Sequence, residues 1–135
     1  MSPRDLRATL SALVLLPALW IALRILGLRR LAGWIERRPL AQSEIDRPTA
    51  IDEAVRAVAR ASRRGAGRGT CLSQSLALVH LLRRRGIQSA LRLGVRKSGE
   101  RMEAHAWVEA DGVVLNDSAD VAARFVPLPS LDEVR

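Results

Sequence analysis

At 135 residues, 48% of them apolar, the chain is long enough for one domain with a modest core and too short for two independent ones. Its single cysteine, Cys71, excludes an intramolecular disulfide and any multi-cysteine zinc site. Two histidines without a CxxC offer little to a metal, so no metal or cofactor is expected. The net charge of +8 is almost wholly arginine, Lys97 being the sole lysine. The arginines fall in short clusters with little aromatic interleaving, which argues against nucleic acid and leaves solvated helix faces, anionic lipid or an acidic peptide as readings.

In chain order, Ala8 to Leu23 carries no charge and is bounded by Arg7 and Arg24. As a helix those residues span about 24 Å, short of the roughly 30 Å of bilayer hydrocarbon, and Pro17 is expected to interrupt them. No small-residue cleavage site marks a secretory signal. The apolar pattern resumes at helical spacing through Ile25, Leu28, Leu31, Trp34 and Ile35, beside Arg29, Arg30, Arg37 and Arg38. Residues 6–37 therefore read as an apolar helix followed by an amphipathic one, suited to packing on the core, resting on a membrane surface or docking a partner protein.

A polar connector, Pro39 to Pro48, leads to Thr49 and Asp52, a capping-box-like helix start. Ile51, Val55, Val58, Ala59 and Ser62 then mark one face of a helix expected to end near Arg64. The Gly65–Gly69 run reads as a flexible loop; it lacks the Lys-Ser/Thr pair of a phosphate-binding loop. Next comes GTCLSQSLALVHLL, residues 69–82. Thr70 is placed to cap a helix, and Leu72, Leu76, Leu78, Val79, Leu81 and Leu82 surround most of its circumference, so the helix should be largely buried. Cys71 opens it, where unpaired backbone N–H groups and the helix dipole favour a thiolate.

Arg85-Gly86 is a C-cap signal. Leu91, Leu93 and Val95 alternate with Arg92, Gly94 and Arg96 as a strand, Lys97 to Glu100 is a turn, and Met102 to Ala110 is a second strand. A hairpin at Asp111-Gly112 leads to a third strand, Val113 to Asp117, and Phe125-Val126 to a short last one. Helices first and an antiparallel sheet afterwards make an α+β protein, read as a helical extension over 1–45 and a core over 46–135.

A thiolate nucleophile needs a base within hydrogen-bond reach and a group that orients the base. His80, nine residues beyond Cys71 on one helix, is about 13.5 Å away along the axis and half a turn round. His105, mid-strand beside Glu103, Trp107 and Glu109, is left as the base. The orienter depends on the hairpin. A two-residue loop pairs Ala110 with Val113 and sets His105 opposite Ser118, with Asn116 diagonal to it. A three-residue loop pairs Glu109 with Val113 and sets His105 opposite Asp117. The second register also pairs Trp107 with Leu115 on the face expected to cover the helix, so Asp117 is preferred and Asn116 is the reserve. The chemistry that follows is acyl transfer, with the Cys71 backbone N–H as oxyanion donor.

The order Cys-helix, strand His, strand Asp resembles the transglutaminase-like branch of the papain-like cysteine proteases. More narrowly, Cys71-Leu72 with Ser75-Leu76-Ala77-Leu78, Leu81 to Gly86, Leu91 to Val95, and Ala104-His105-Ala106-Trp107-Val108-Glu109 before Asp117 resemble the leader peptidases of lasso-peptide biosynthesis. That resemblance implies a Cys71, His105, Asp117 triad in a transglutaminase-like core. It also implies removal of the leader from a ribosomally made precursor peptide, which frees the core N-terminus for a separate ATP-dependent lasso cyclase. Fused members begin with a winged-helix-like leader-binding domain, whereas this chain begins with apolar helices. It is therefore expected to be the split form, working with a separate leader-recognition protein in the cytoplasm, with residues 6–37 available for peripheral membrane contact. The Arg/Gly-rich approach over 63–69 departs from the family's more apolar one.

Overall fold

The computed structural model describes residues 2–42, 45–63 and 71–128. Helix α1 runs Pro3–Leu26 and α2 Leu28–Arg37, with Gly27 between them at φ +84°. Ser2 caps α1: its hydroxyl accepts the Asp5 N–H at 3.1 Å while the Asp5 carboxylate accepts the Ser2 N–H at 3.3 Å, and Pro3 fills the first helical position. Pro17 does not interrupt α1. The backbone bond it removes is offset by packing of the buried face, Ala8, Ala12, Leu16 and Leu19, against the next two helices.

Helix α3, Arg47–Arg63, starts earlier than expected, because Asp46 rather than Thr49 is the cap; its carboxylate accepts from the Thr49 N–H and hydroxyl at 3.2 and 2.7 Å. Its buried face is also rotated from the expected one. Ala50, Ala54, Ala57 and Ala61 are buried in the core that α3 shares with α1 and α4, where small side chains let backbones approach closely, while Ala59 faces solvent. Helix α4, Cys71–Arg83, is buried along most of its length, with Ser73, Ser75, Ala77 and Leu78 fully enclosed. The expected Thr70 cap and the Gly65–Gly69 loop lie outside the described residues. At its far end Gly86 takes φ +76°, its N–H donates to the Arg83 carbonyl, and the Ile87 N–H reaches back to Leu82 at 2.9 Å, a Schellman cap. Glu53, only 8% exposed, ties three helices together by accepting from Arg85 of the α4 cap at 2.8 Å and from Arg4 of α1 at 3.2 Å.

The sheet follows: β1 Ala90–Ser98, β2 Arg101–Ala110, β3 Val113–Val114, then a short helix α5 Val121–Arg124 and β4 Val126–Pro127, in the order β3-β2-β1-β4, all antiparallel. The architecture is α+β, as expected. One sheet face, Leu91, Ala106 and Val108, joins the core made by α1–α4. On the other, Trp107 packs with Val121 and Phe125, because α5 carries the chain across that face before β4 pairs with the free edge of β1.

The third strand is two residues long, not five, and its register is the two-residue one: Ala110 pairs with Val113 and Glu109 with Val114. Asp111 at φ +52° and Gly112 at φ +78° both take left-handed conformations, the type I′ turn that Asp-Gly selects because its twist matches the flanking strands. Because Ala106 and Val108 are the β2 residues that meet the helices, Trp107 and His105, which alternate with them, lie on the opposite face of the sheet rather than over the Cys71 helix as expected.

Candidate active site

Cys71 stands at the first turn of α4 and is half-buried. The first backbone N–H groups of a helix have no partner within it, so this end presents donors and a positive dipole to whatever lies beside the sulfur. α4 packs along β2, the strand that carries His105.

His105 Nε2 is in direct contact with Asp117 Oδ2, so imidazole and carboxylate are joined although the hairpin register predicted for that meeting is absent. The ladder itself explains this. At the Val108–Leu115 rung the Leu115 N–H donates to the Val108 carbonyl at 2.9 Å, but the Val108 N–H donates to the Asn116 side-chain oxygen, at 2.8 Å, in place of a backbone carbonyl. Asn116 thus ends the strand, and the chain bends from Leu115 to Asp117, delivering the carboxylate to His105 from outside the ladder. The Asn116 amide nitrogen also donates to Ser75 Oγ at 3.1 Å, one helical turn beyond Cys71. Asn116 is therefore not the reserve orienter; it fastens the strand end to the cysteine helix.

Both Asp117 oxygens are held. Oδ2 faces the imidazole, while Oδ1 accepts the Ser118 N–H at 2.7 Å and Arg124 Nη2 at 2.9 Å. Partial burial pushes the carboxyl pKa up, but the hydrogen bonds from His105 and Ser118 and the charges of His105 and Arg124 outweigh it and hold it below the usual carboxylate range. Asp117 is therefore ionised at neutral pH. The His105 ring is stacked with Phe125 at 5.0 Å between centroids and with Trp107 at 6.1 Å. Trp107 Nε1 donates to Glu109 at 2.7 Å, which fixes its own plane. Gly94, opposite His105 on β1, makes room for both rings: a β-carbon there would sit 2.9 Å from Phe125 Cβ and from the Trp107 ring.

His80 is at the other end of α4, stacked on Trp34 at 6.5 Å, with burial first and then Arg84 and Arg38 lowering its pKa. His105 and Asp117 meet directly. Cys71 packs instead against the core on the helical side of the sheet, its helix tied to the strand end by the Asn116–Ser75 bond, and among the described residues its thiol makes no hydrogen bond to either of them. Arg124, Phe125, Ser118 and Asn116 complete the surroundings of the pair. No periodic signal in the sequence marks the first two, which sit at the end of a four-residue helix, whereas Ser118 and Asn116 are the residues that the two-residue register sets near His105, Asn116 as the reserve orienter. Among the described residues no group of three His, Cys, Asp or Glu side chains gathers to hold a metal.

Helices packed on a four-stranded antiparallel sheet are the architecture of a cysteine-protease-like fold. A profile of the transglutaminase-like superfamily matches residues 12–130, and the chain belongs to that superfamily, which covers cysteine peptidases and acyltransferases. Neither a curated protein nor a solved structure matches the chain.

Proposed function

We propose that this protein is a cysteine peptidase that removes the leader from a ribosomally synthesised lasso-peptide precursor, with Cys71 as nucleophile, His105 as base and Asp117 as orienter. The observation that carries the reading is the His105–Asp117 pair, its carboxylate ionised and held on both oxygens, on the strand against which the Cys71 helix packs. His105 takes the thiol proton and Cys71 attacks the amide carbonyl at the leader–core junction. The resulting oxyanion is met by the Cys71 backbone N–H, and His105 returns the proton to the leaving amine. Water then hydrolyses the thioester. The leader departs as an acid and the core leaves with a free N-terminal amine, the group a separate ATP-dependent cyclase needs to close a ring. The sequence segments around Cys71 and His105 support the narrower leader-peptidase assignment, and a separate leader-recognition protein would present the substrate.

The test is mass spectrometry of a precursor peptide incubated with this protein and its leader-recognition partner, beside a Cys71→Ala control. Leader and core as two products, with loss of at least about 10³-fold in rate in the control, are expected. A precursor joined to an amine would assign the acyltransferase reaction instead, and an intact precursor with both proteins present would overturn catalysis.

A further inference from the structure

Helix α1 is 24 residues long and uncharged from Ala8 to Leu23, yet only 22% of its most apolar 18-residue window is buried. A helix apolar all round is normally enclosed by protein or by lipid. Here one face, Ala8, Ala12, Leu16 and Leu19, enters the core, and the opposite face is a line of exposed apolar side chains at 52% for Leu10, 70% for Val14, 51% for Ile21 and 76% for Ile25. These four recur every turn or two turns, so they form a single stripe about 22 Å long.

The surroundings of that stripe identify what covers it. Beside the N-terminal end of α1 is a cavity of about 380 Å³ lined by Arg4, Arg7, Arg84 and Arg85, with Ser11 on its wall and Glu53 as the one acidic residue among its described lining. Glu53 is already taken by Arg4 and Arg85, whereas Arg7 and Arg84 carry no ion pair among the described residues. An apolar stripe that ends in a cavity of four arginines, two of them without an ion pair among the described residues, matches a surface with acyl chains below and anionic phosphates above. A second apolar protein helix would satisfy the stripe and leave the cavity empty of counter-charge.

We propose that the protein docks peripherally on an anionic phospholipid bilayer, with α1 lying in the plane of the interface, its stripe at the acyl boundary and its arginine cavity around lipid phosphates. α1 does not cross the bilayer in this arrangement, because its other face belongs to the same core as α3 and α4 and the Arg4–Glu53 pair holds its first turn to α3. This reading is independent of the peptidase assignment.

Co-sedimentation of the full chain with phosphatidylcholine vesicles and with phosphatidylcholine–phosphatidylglycerol vesicles, at low and high salt, tests it. Binding to the anionic vesicles, weakened by salt, is expected. Val14→Gln/Ile21→Gln, which changes no charge and touches only exposed positions, should lower the partition coefficient more than about tenfold. Arg7→Ala/Arg84→Ala should lower it about thirtyfold on anionic vesicles and leave weak binding to neutral ones unchanged. Unaltered melting curves check that both variants fold. Absence of binding to either vesicle overturns the proposal, as does salt-independent binding to both. A dimer in light scattering that the two glutamines dissolve would assign the stripe to a second copy and overturn it as well.

Discussion

On the helical side of the sheet, Leu91, Ala106 and Val108 meet a continuous core in which alanine and leucine from four helices interlock. On the other side, the buried cluster is Trp107, Val121 and Phe125, and His105, Asp117 and Arg124 are arranged around it. The first is a large, dry and unspecific store of stability. The second is small and directional: its aromatic rings do little more than fix where an imidazole and a carboxylate point. His105 and Asp117 thus stand on the sheet face turned away from the main core, positioned by a separate small aromatic cluster and joined to the cysteine helix through the Asn116–Ser75 bond.

Four substitutions probe that separation. On the proposed reaction, Asp117→Asn should lower kcat about 10²- to 10⁴-fold with little change in melting temperature, because an amide can still accept from Ser118 but no longer supports an imidazolium. Comparable loss of stability and activity would mean the pair is structural. Leu78→Ala, in the fully buried centre of α4, should do the reverse, costing about 2–5 kcal/mol in denaturant unfolding while kcat per folded molecule stays unchanged.

Gly94→Ala tests the wall between the two regions. The added methyl meets Phe125 and Trp107, so a destabilisation of about 1–3 kcal/mol should come with a larger loss of activity than Leu78→Ala gives at equal stability. The smallest effect concerns His80, on the helical side. Burial and the charges of Arg84 and Arg38 lower its folded pKa below the usual 6.5, so the unfolded chain binds the proton first. Its contribution is therefore intact above pH 6.5 and lost as pH falls through the lowered folded value. Melting temperature should decline over that interval and decline less steeply in His80→Gln, with no matching difference in the pH profile of peptide cleavage.

Much of the fold is legible where one physical signal dominates. The apolar run of α1, the leucines around α4 and the cap at Gly86 each rest on local chemistry that tertiary contacts reinforce. The alanine face of α3 is hidden because alanine scores weakly as apolar, yet it is what lets the neighbouring helices come close. Cys71, His105 and Asp117 are recognisable by residue type and order, but the route that joins the last two is not. The hairpin is decided by two positive φ angles at Asp111 and Gly112, and the meeting of His105 with Asp117 by a side-chain amide that replaces a backbone partner at one rung. Arg124 and Phe125 come from a helix too short for any periodicity and act across the sheet, so no window of sequence contains the reason for them.

The return of the chain to β1 through Val126 and Pro127 has a temporal meaning. Helices α1 to α4 and the β1–β2 hairpin depend on segments synthesised first, while Arg124 and Phe125, which hold His105 and Asp117 in place, are synthesised after all of them. Because domains form from the N-terminus as they are made, the nascent protein should be compact well before its imidazole is oriented. Pulse-labelled hydrogen exchange would read that order as late protection around His105. On the proposed reaction, the protein would become competent only once the segment from α5 to β4 has closed over the sheet.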